Sequence, residues 1–262
     1  MSNPDSSPVL LTRNGAVAQI QFNRPQQLNT LDVATAQAFL AVCQTVQADS
    51  SVRAVVISGA GRGFGAGGDL ASFKTDPSAT AVAVIEPMHA AIKILTSLDA
   101  PVIASLHGVV AGGSLSLAMA CDLAIAAEGT KFNLAYANVA ANCDVSGSWH
   151  LPRLVGLRNA MQIALLCDTF LADEALRLGL VNRVVPADQL AAETEKLAQR
   201  LANGPTLALG KLKKLLRASL NNDLATQLDL ERDAFRASTA TRDFGEALDA
   251  FFNKRPPLFE GR

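Results

Sequence analysis

Two glycine-rich segments carry the most legible chemistry in this sequence. The first reads Gly59-Ala-Gly-Arg-Gly-Phe-Gly-Ala-Gly-Gly-Asp-Leu70, the second His107-Gly-Val-Val-Ala-Gly-Gly-Ser114. Each follows an apolar run with the composition of a buried strand, residues 52–58 and 101–106. The second also opens an apolar helical stretch reaching about residue 120. Glycine lets a ligand come close to main-chain N–H groups. A helix N-terminus adds unpaired N–H groups and a positive dipole end. Two such loops can place two backbone donors on one oxygen, an oxyanion hole that stabilises negative charge growing on a carbonyl. A literal G-x-G-x-x-G also lies at Gly63 to Gly68. A dinucleotide fingerprint must join the first strand of a βαβ unit directly to its helix. Here the strand ends near Ser58, and two strands and a helix come before it, so the nucleotide reading is set aside. Taken singly, either loop is also compatible with a plain flexible turn.

The elements that must hold these loops follow from pattern. Residues 9–13 and 16–22 read as a hairpin joined by Asn14-Gly15, with Ala16, Ala18, Ile20 and Phe22 alternating with polar positions. Residues 32–48 read as a helix with Asp32 at its N-terminus. Residues 80–98 read as a second helix that Pro87 starts or kinks. Residues 122–127 and 181–185 read as further strands, and nearly everything after Pro186 as helix. Strands in the first two thirds and helices in the last third predict an α/β core with a helical C-terminal part. The break at Asn203-Gly204-Pro205 marks the boundary between them.

Composition bounds the rest. The 262 residues are enough for one or two domains with a sizeable core. Lys plus Arg is 23 against 24 for Asp plus Glu, a net charge of -1, so no broad basic field exists for a nucleic-acid backbone. No uninterrupted apolar run approaches the ~20 residues of a membrane helix. Residues 1–8 lack the basic and apolar regions of a signal peptide and read as a short disordered lead-in. Cys43, Cys121, Cys143 and Cys167 form no C-x-x-C pair, and His89, His107 and His150 have no metal-ligand spacing. Reduced thiols, a cytoplasmic setting and no structural metal are the expectation.

Seven strings, in order, carry a resemblance. They are Asn23-Arg-Pro25 with Leu28-Asn29, Phe64-Gly-Ala-Gly-Gly-Asp-Leu70, Ala100-Pro-Val-Ile-Ala with Gly108-Val-Val-Ala-Gly-Gly113, Ala120-Cys-Asp-Leu-Ala-Ile-Ala126, Leu151-Pro-Arg-Leu-Val-Gly156, Gly179-Leu-Val-Asn-Arg-Val-Val185 and Phe251-Phe-Asn-Lys-Arg-Pro256. Together they resemble the crotonase (enoyl-CoA hydratase/isomerase) superfamily over residues 9–262. The resemblance implies a spiral of ββα units over residues 9–203 carrying an acyl-CoA site, and a helical trimerisation part over residues 204–262. It implies homotrimers or hexamers, acyl-coenzyme A thioester substrates, and no cofactor beyond the coenzyme A carried by the substrate. It also implies an enolate held by two main-chain amides, carried over here to the N–H groups of Ala66 and Gly113. Gly67, Gly68, Asp69, Leu70 and Gly112 fall in the same binding loops, and Arg24, Arg62 and Lys254 in regions that meet coenzyme A.

The reaction depends on the side chains around the substrate. Hydratases of the family use two glutamates, where Ser116 and Tyr136 stand in this chain. Usual hydration is therefore disfavoured, since it needs one group for water and one for the α-carbon proton. Asp144, twelve positions after Phe132, resembles the catalytic aspartate of the ring-1,2-epoxyphenylacetyl-CoA isomerases, and in part that of the 4-chlorobenzoyl-CoA dehalogenases. The first branch implies one carboxylate moving a proton between two carbons. The second implies a nucleophile assisted by a histidine and a tryptophan, where His89 and Tyr136 lie. A non-catalytic member binding coenzyme A or RNA is the third reading, and the near-neutral charge speaks against RNA. The string Asn142-Cys-Asp-Val-Ser-Gly147, and Ser114 after Gly113, depart from the family pattern.

Bland readings stand beside these. Asp144 is a turn former by type. His89 sits on a helical stretch beside Met88 and Ile92, Tyr136 suits a pocket wall, and Ser116 a small packing position. Trp149 and Leu151, near Leu154, read as core, and Lys211, Lys213 and Lys214 as a solvated helix face.

Overall fold

A computed structural model describes residues 7–262 of the chain. Strands β1 (Val9–Asn14) and β2 (Val17–Phe22) pair antiparallel around Asn14 and Gly15. Helix α1 (Val33–Ala48) follows, and the Asp32 side chain accepts its Thr35 N–H. Then come β3 (Ala54–Gly59), α2 (Pro77–Ser97), β4 (Val102–Leu106), β5 (Val109–Ala111) and α3 (Gly112–Ala120). The core closes with β6 (Leu123–Ala127), β7 (Lys131–Asn133), α4 (Gly147–Val155), α5 (Leu157–Leu166), β8 (Phe170–Leu171), α6 (Ala172–Arg177), β9 (Arg183–Val185) and α7 (Leu190–Ala202). Helices α8 (Thr206–Ser219), α9 (Leu224–Thr239) and α10 (Arg242–Phe252) form the C-terminal part.

Six strands form one sheet in the order β1-β2-β3-β4-β6-β9, parallel except at the β1–β2 hairpin. A second, three-stranded sheet runs β5-β7-β8. The order strand–strand–helix recurs as β1-β2-α1, β4-β5-α3 and β6-β7-α4, the winding expected of this α/β chain. The three strands of the second sheet escape sequence reading because they are two or three residues long and carry no period. Residues 109–111, read as loop, are strand β5.

The main core lies between the large sheet and α1, α2 and α3, with Phe39, Ile57, Met88, Leu106 and Leu115 buried in it. All nine residues of α3 are buried. Helix α7 covers the other face of the sheet, where Val17, Ala54 and Ile103 meet Ala198 and Ala202. Burial on both faces is normal for parallel strands. Helix α2 begins at Pro77, capped by Asp76, three residues before its expected start, and runs through Pro87. It is long and apolar enough to cross a bilayer by composition, but Val84, Met88, Ala91, Ile92 and Leu95 pack in the core. All four cysteines are free.

Two expectations are corrected here. Trp149 is not core but 47% exposed, beside Leu154 at 40%, and Arg153 stacks over the Trp149 ring. Leu151 is buried as expected. Lys213 is not solvated: it is 9% exposed and bonds Asp122 at 2.7 Å, while Lys214 pairs with Asp99 at the surface. Most of the lead-in, residues 1–6, lies outside the described residues. Ser7 and Pro8 accept hydrogen bonds from Asn23 through their carbonyls.

Candidate active site

The first glycine loop is held as if it were an extra strand. Its Gly65 forms an isolated parallel bridge with Val110 of β5. The Gly65 N–H donates to the Val109 carbonyl at 3.0 Å, and the Ala111 N–H donates to the Gly65 carbonyl at 2.9 Å. Two residues on, Gly67 lies against residues 111–113 at the start of α3. The close fit explains the glycines. A Cβ on Gly67, whose φ is +90°, would lie 3.1 Å from the Ala111 carbonyl oxygen and 3.4 Å from the Gly113 nitrogen. On its other side the loop bridges Leu31 at Gly68. Asn29, 1% exposed, locks the base of the loop by donating to the Ala60 and Gly63 carbonyls.

This pairing corrects the assignment of Ala66. The Ala66 N–H donates to the Leu28 carbonyl at 3.0 Å, so it is already used. The Gly67 N–H donates to the Ser114 hydroxyl at 3.3 Å and the Asp69 N–H to the Leu31 carbonyl at 2.9 Å. Only the Gly68 N–H in this run has no acceptor among the described residues. The Gly113 N–H has none either, as expected in the first turn of a helix. Gly68 and Gly113 therefore both offer open N–H donors, and the dipole of the buried helix α3 adds positive potential at Gly113. Ser114, a departure from the family pattern, fills the space beside Gly65 and braces the loop through Gly67.

Asp144 comes to the same place. A Cβ built on Gly113 would lie 3.6 Å from Asp144 Oδ1, 3.5 Å from Val145 Cγ2 and 3.3 Å from Leu31 Cδ1. The Tyr136 hydroxyl donates a short hydrogen bond to Asp144 Oδ1. Because Tyr136 has a single proton, the 3.1 Å contact between its oxygen and Ser116 Oγ must be donated by Ser116. Ser116, Tyr136 and Asp144 thus form one hydrogen-bonded chain that ends on the carboxylate. Burial raises the Asp144 carboxyl above its ordinary range, opposed by the Tyr136 hydrogen bond and by His89. Burial, with the Asp144 charge, pushes the Tyr136 phenol well up, so it remains a donor. His89 is exposed on α2, and its Nε2 accepts the Val145 N–H at 3.2 Å. Its proton therefore sits on Nδ1 when the ring is neutral.

The remaining expected contacts divide. Arg24 does not present a free cation: it pairs with Asp32 at 3.1 Å and Asp69 at 3.2 Å and donates to the Thr30 carbonyl. It braces the loop through these partners. Asp69 accepts the Ala71 N–H and so turns the chain after Gly68. Leu70 is 59% exposed at the rim of the loop. Arg62 and Lys254 are exposed, and neither forms an ion pair among the described residues. Gly112, at φ +50°, makes the turn that brings Gly113 to the helix start. Sequence reasoning missed the roles of Gly68, Asn29 and Ser114. Each carried some signal: Gly68 lay in the binding loop, Asn29 in the string Leu28-Asn29, and Ser114 was an unusual residue after Gly113.

Comparison with known proteins shows the family. Residues 12–262 match the family described as Enoyl-CoA hydratase/isomerase. The chain is 38% identical over 252 residues to the 1,2-epoxyphenylacetyl-CoA isomerase of Escherichia coli (strain K12), covering 94% of this chain and 95% of that protein. It is 32% identical over 252 residues to the crotonyl-CoA hydratase of Syntrophomonas wolfei, covering 96% and 97%. Its fold matches the crystal structure of an enoyl-CoA hydratase from Bacillus anthracis with a TM-score of 0.93 at 28% identity, over 97% of this chain and all of that one.

Proposed function

The chain belongs to the enoyl-CoA hydratase/isomerase family and has its crotonase fold, and on that premise we propose that it is an acyl-coenzyme A isomerase with Asp144 as its single base. One distance carries the reading: the 3.6 Å between Asp144 Oδ1 and the Cβ position of Gly113. An acid and an open helix-start amide then face the same small space. The thioester oxygen accepts from the Gly68 and Gly113 N–H groups, and the carbon beside the carbonyl lies against Asp144. As the enolate forms, charge moves onto the oxygen, where the two amides and the α3 dipole stabilise it. Asp144 takes the proton from one carbon and returns it to another.

Two features support isomerisation over hydration. Ser116 and Tyr136 supply no second carboxylate to activate water. The raised Asp144 carboxyl suits a group that must hold a proton between two transfers. Tyr136 keeps the carboxylate oriented and partly stabilised during the exchange. Arg62 and Lys254 are the exposed cations for the coenzyme A phosphates, and a cytoplasmic site of action accompanies the reading. The trimer or hexamer joins copies through the helical part over residues 204–262. There Leu212, Leu216, Leu228 and Phe235 stand exposed, an unusual amount of open apolar surface.

The competing chemistry makes Asp144 a nucleophile, as in a dehalogenase or thioester hydrolase, with His89 close by. A single turnover in ¹⁸O-labelled water separates them. Proton shuttling leaves the Asp144 carboxylate unlabelled. Label in that carboxylate rejects the isomerase mechanism.

A further inference from the structure

The turn that carries Asp144 is strained. Val145 and Ser146 both adopt left-handed backbone conformations, with φ of 49° and 64°. Such angles are uncommon for non-glycine residues and a genuine outlier for a β-branched one such as Val145. The surroundings must therefore hold the turn. His89 does so from one side by accepting the Val145 N–H. The other side is held by His150, 7% exposed on α4. Its Nδ1 lies 3.0 Å from the Ser146 hydroxyl and 3.3 Å from the Ser146 carbonyl. That carbonyl already accepts the His150 main-chain N–H, so the hydroxyl is the freer acceptor.

The proton on His150 is set from α8. Arg217 Nη1 lies 3.1 Å from His150 Nε2. A guanidinium only donates, so Nε2 accepts, and the ring proton sits on Nδ1, aimed at Ser146. Arg217 is itself fixed. Its Nη2 donates to Asp122 Oδ1 at 2.9 Å and to the Ala120 carbonyl at the end of α3, also 2.9 Å. Asp122 in turn collects Lys213 at 2.7 Å and the Val102 N–H at 2.9 Å.

We propose that Arg217 is a positioning residue: by fixing His150 as an Nδ1–H donor, it holds the left-handed turn that presents Asp144 beside Gly113. The inference rests on Asp144 being the base, and it assigns part of the site's geometry to the C-terminal helices. Burial and Arg217, with Arg153 adding to them, push His150 down to about 4, while the Ser146 carbonyl and Asp122 oppose the shift. The donor therefore stays neutral across the working range.

The test uses the full-length protein and three readouts. Imidazole ¹⁵N shifts report the His150 tautomer and titration, amide hydrogen exchange reports the turn, and kcat with KM reports its consequence. In the wild type, His150 is an Nδ1–H tautomer that titrates at about 4. In Arg217→Gln it titrates toward the ordinary imidazole value of about 6.5. Exchange at residues 145–147 rises, and kcat falls roughly 10- to 100-fold with KM little changed, the scale of a misplaced reacting group. Lys213→Met disturbs the same Asp122 cluster without touching His150, so it leaves tautomer and kcat unchanged. His150→Asn, whose amide N–H can stand where Nδ1–H stood, retains activity that His150→Ala loses, and this pair carries the test if Arg217→Gln does not fold. An Nε2–H tautomer in the wild type overturns the proposal, as does unchanged exchange at 145–147 in Arg217→Gln, or equal loss of kcat in Lys213→Met. Tautomer and exchange changes with no change in kcat uphold the clamp and reject Asp144 as the base.

Discussion

Replacing Gly113 by alanine should separate activity from stability. Gly113 is in the first turn of α3 and is not among the residues with positive φ, so alanine meets no left-handed strain there. Alanine in a helix gains about 0.5–1 kcal/mol over glycine. The added methyl meets Leu31 Cδ1 at 3.3 Å, a tight contact with the end of a flexible side chain, which takes back part of that gain. The net change should stay within about 1 kcal/mol, a Tm shift of roughly 2–4 °C in a chain of this size. Activity should behave differently. The same methyl lies 3.6 Å from Asp144 Oδ1, in the space where the reacting carbon must sit between base and amide. A displacement of about 1 Å there costs on the order of 100-fold in rate. The assay is kcat/KM on an enoyl-CoA panel alongside calorimetry. Wild-type turnover in Gly113→Ala would refute the reasoning, because the carboxylate and the open amide could not then flank the reacting carbon.

Further outcomes follow from the same geometry. Gly68→Ala should keep its fold, since its Cβ meets only Phe73 at 3.8 Å, whereas Gly67→Ala at φ +90° should lose both stability and activity; melting and turnover of the two variants check this. Tyr136→Phe removes a hydrogen bond that holds the Asp144 carboxyl down. Its pKa then rises further, so the acid limb of the kcat/KM profile should move to higher pH; a limb that moves down contradicts the assignment. Asp144→Asn should raise Tm at neutral pH. The folded carboxyl titrates above its unfolded value, so ionisation costs the native state as pH rises through that window, and the gain should vanish in acid. Lys213→Met leaves Asp122 half-paired in a buried setting and should cost about 3 kcal/mol by calorimetry.

Long periodic elements were legible in the sequence, and so was the presence of two facing glycine loops. The hairpin at Asn14-Gly15, the Asp32 cap and the helix from Gly112 all announce themselves in local chemistry. What was hidden depends on partners far along the chain. Whether Ala66 or Gly68 offers its N–H is decided by pairing with residues 28–31, some forty positions earlier, which takes the Ala66 donor and leaves that of Gly68. Lys213 looks like a surface lysine until Asp122, Leu95 and Ala100 surround it. Tyr136 and Ser116 read as wall and filler because only the fold brings them to Asp144. Conversely, Trp149 looks apolar enough for the core, yet it stands at the surface under Arg153.

Hydrogen–deuterium exchange into the acyl chain is the most direct measure of the central claim. The wild-type protein and Asp144→Asn are incubated with an enoyl-CoA in deuterium oxide, with coenzyme A affinity measured in parallel. The account predicts deuterium at the substrate carbons with the wild type, loss of roughly 100-fold or more in the variant, and equal affinity in both. Exchange at an undiminished rate in Asp144→Asn would contradict it.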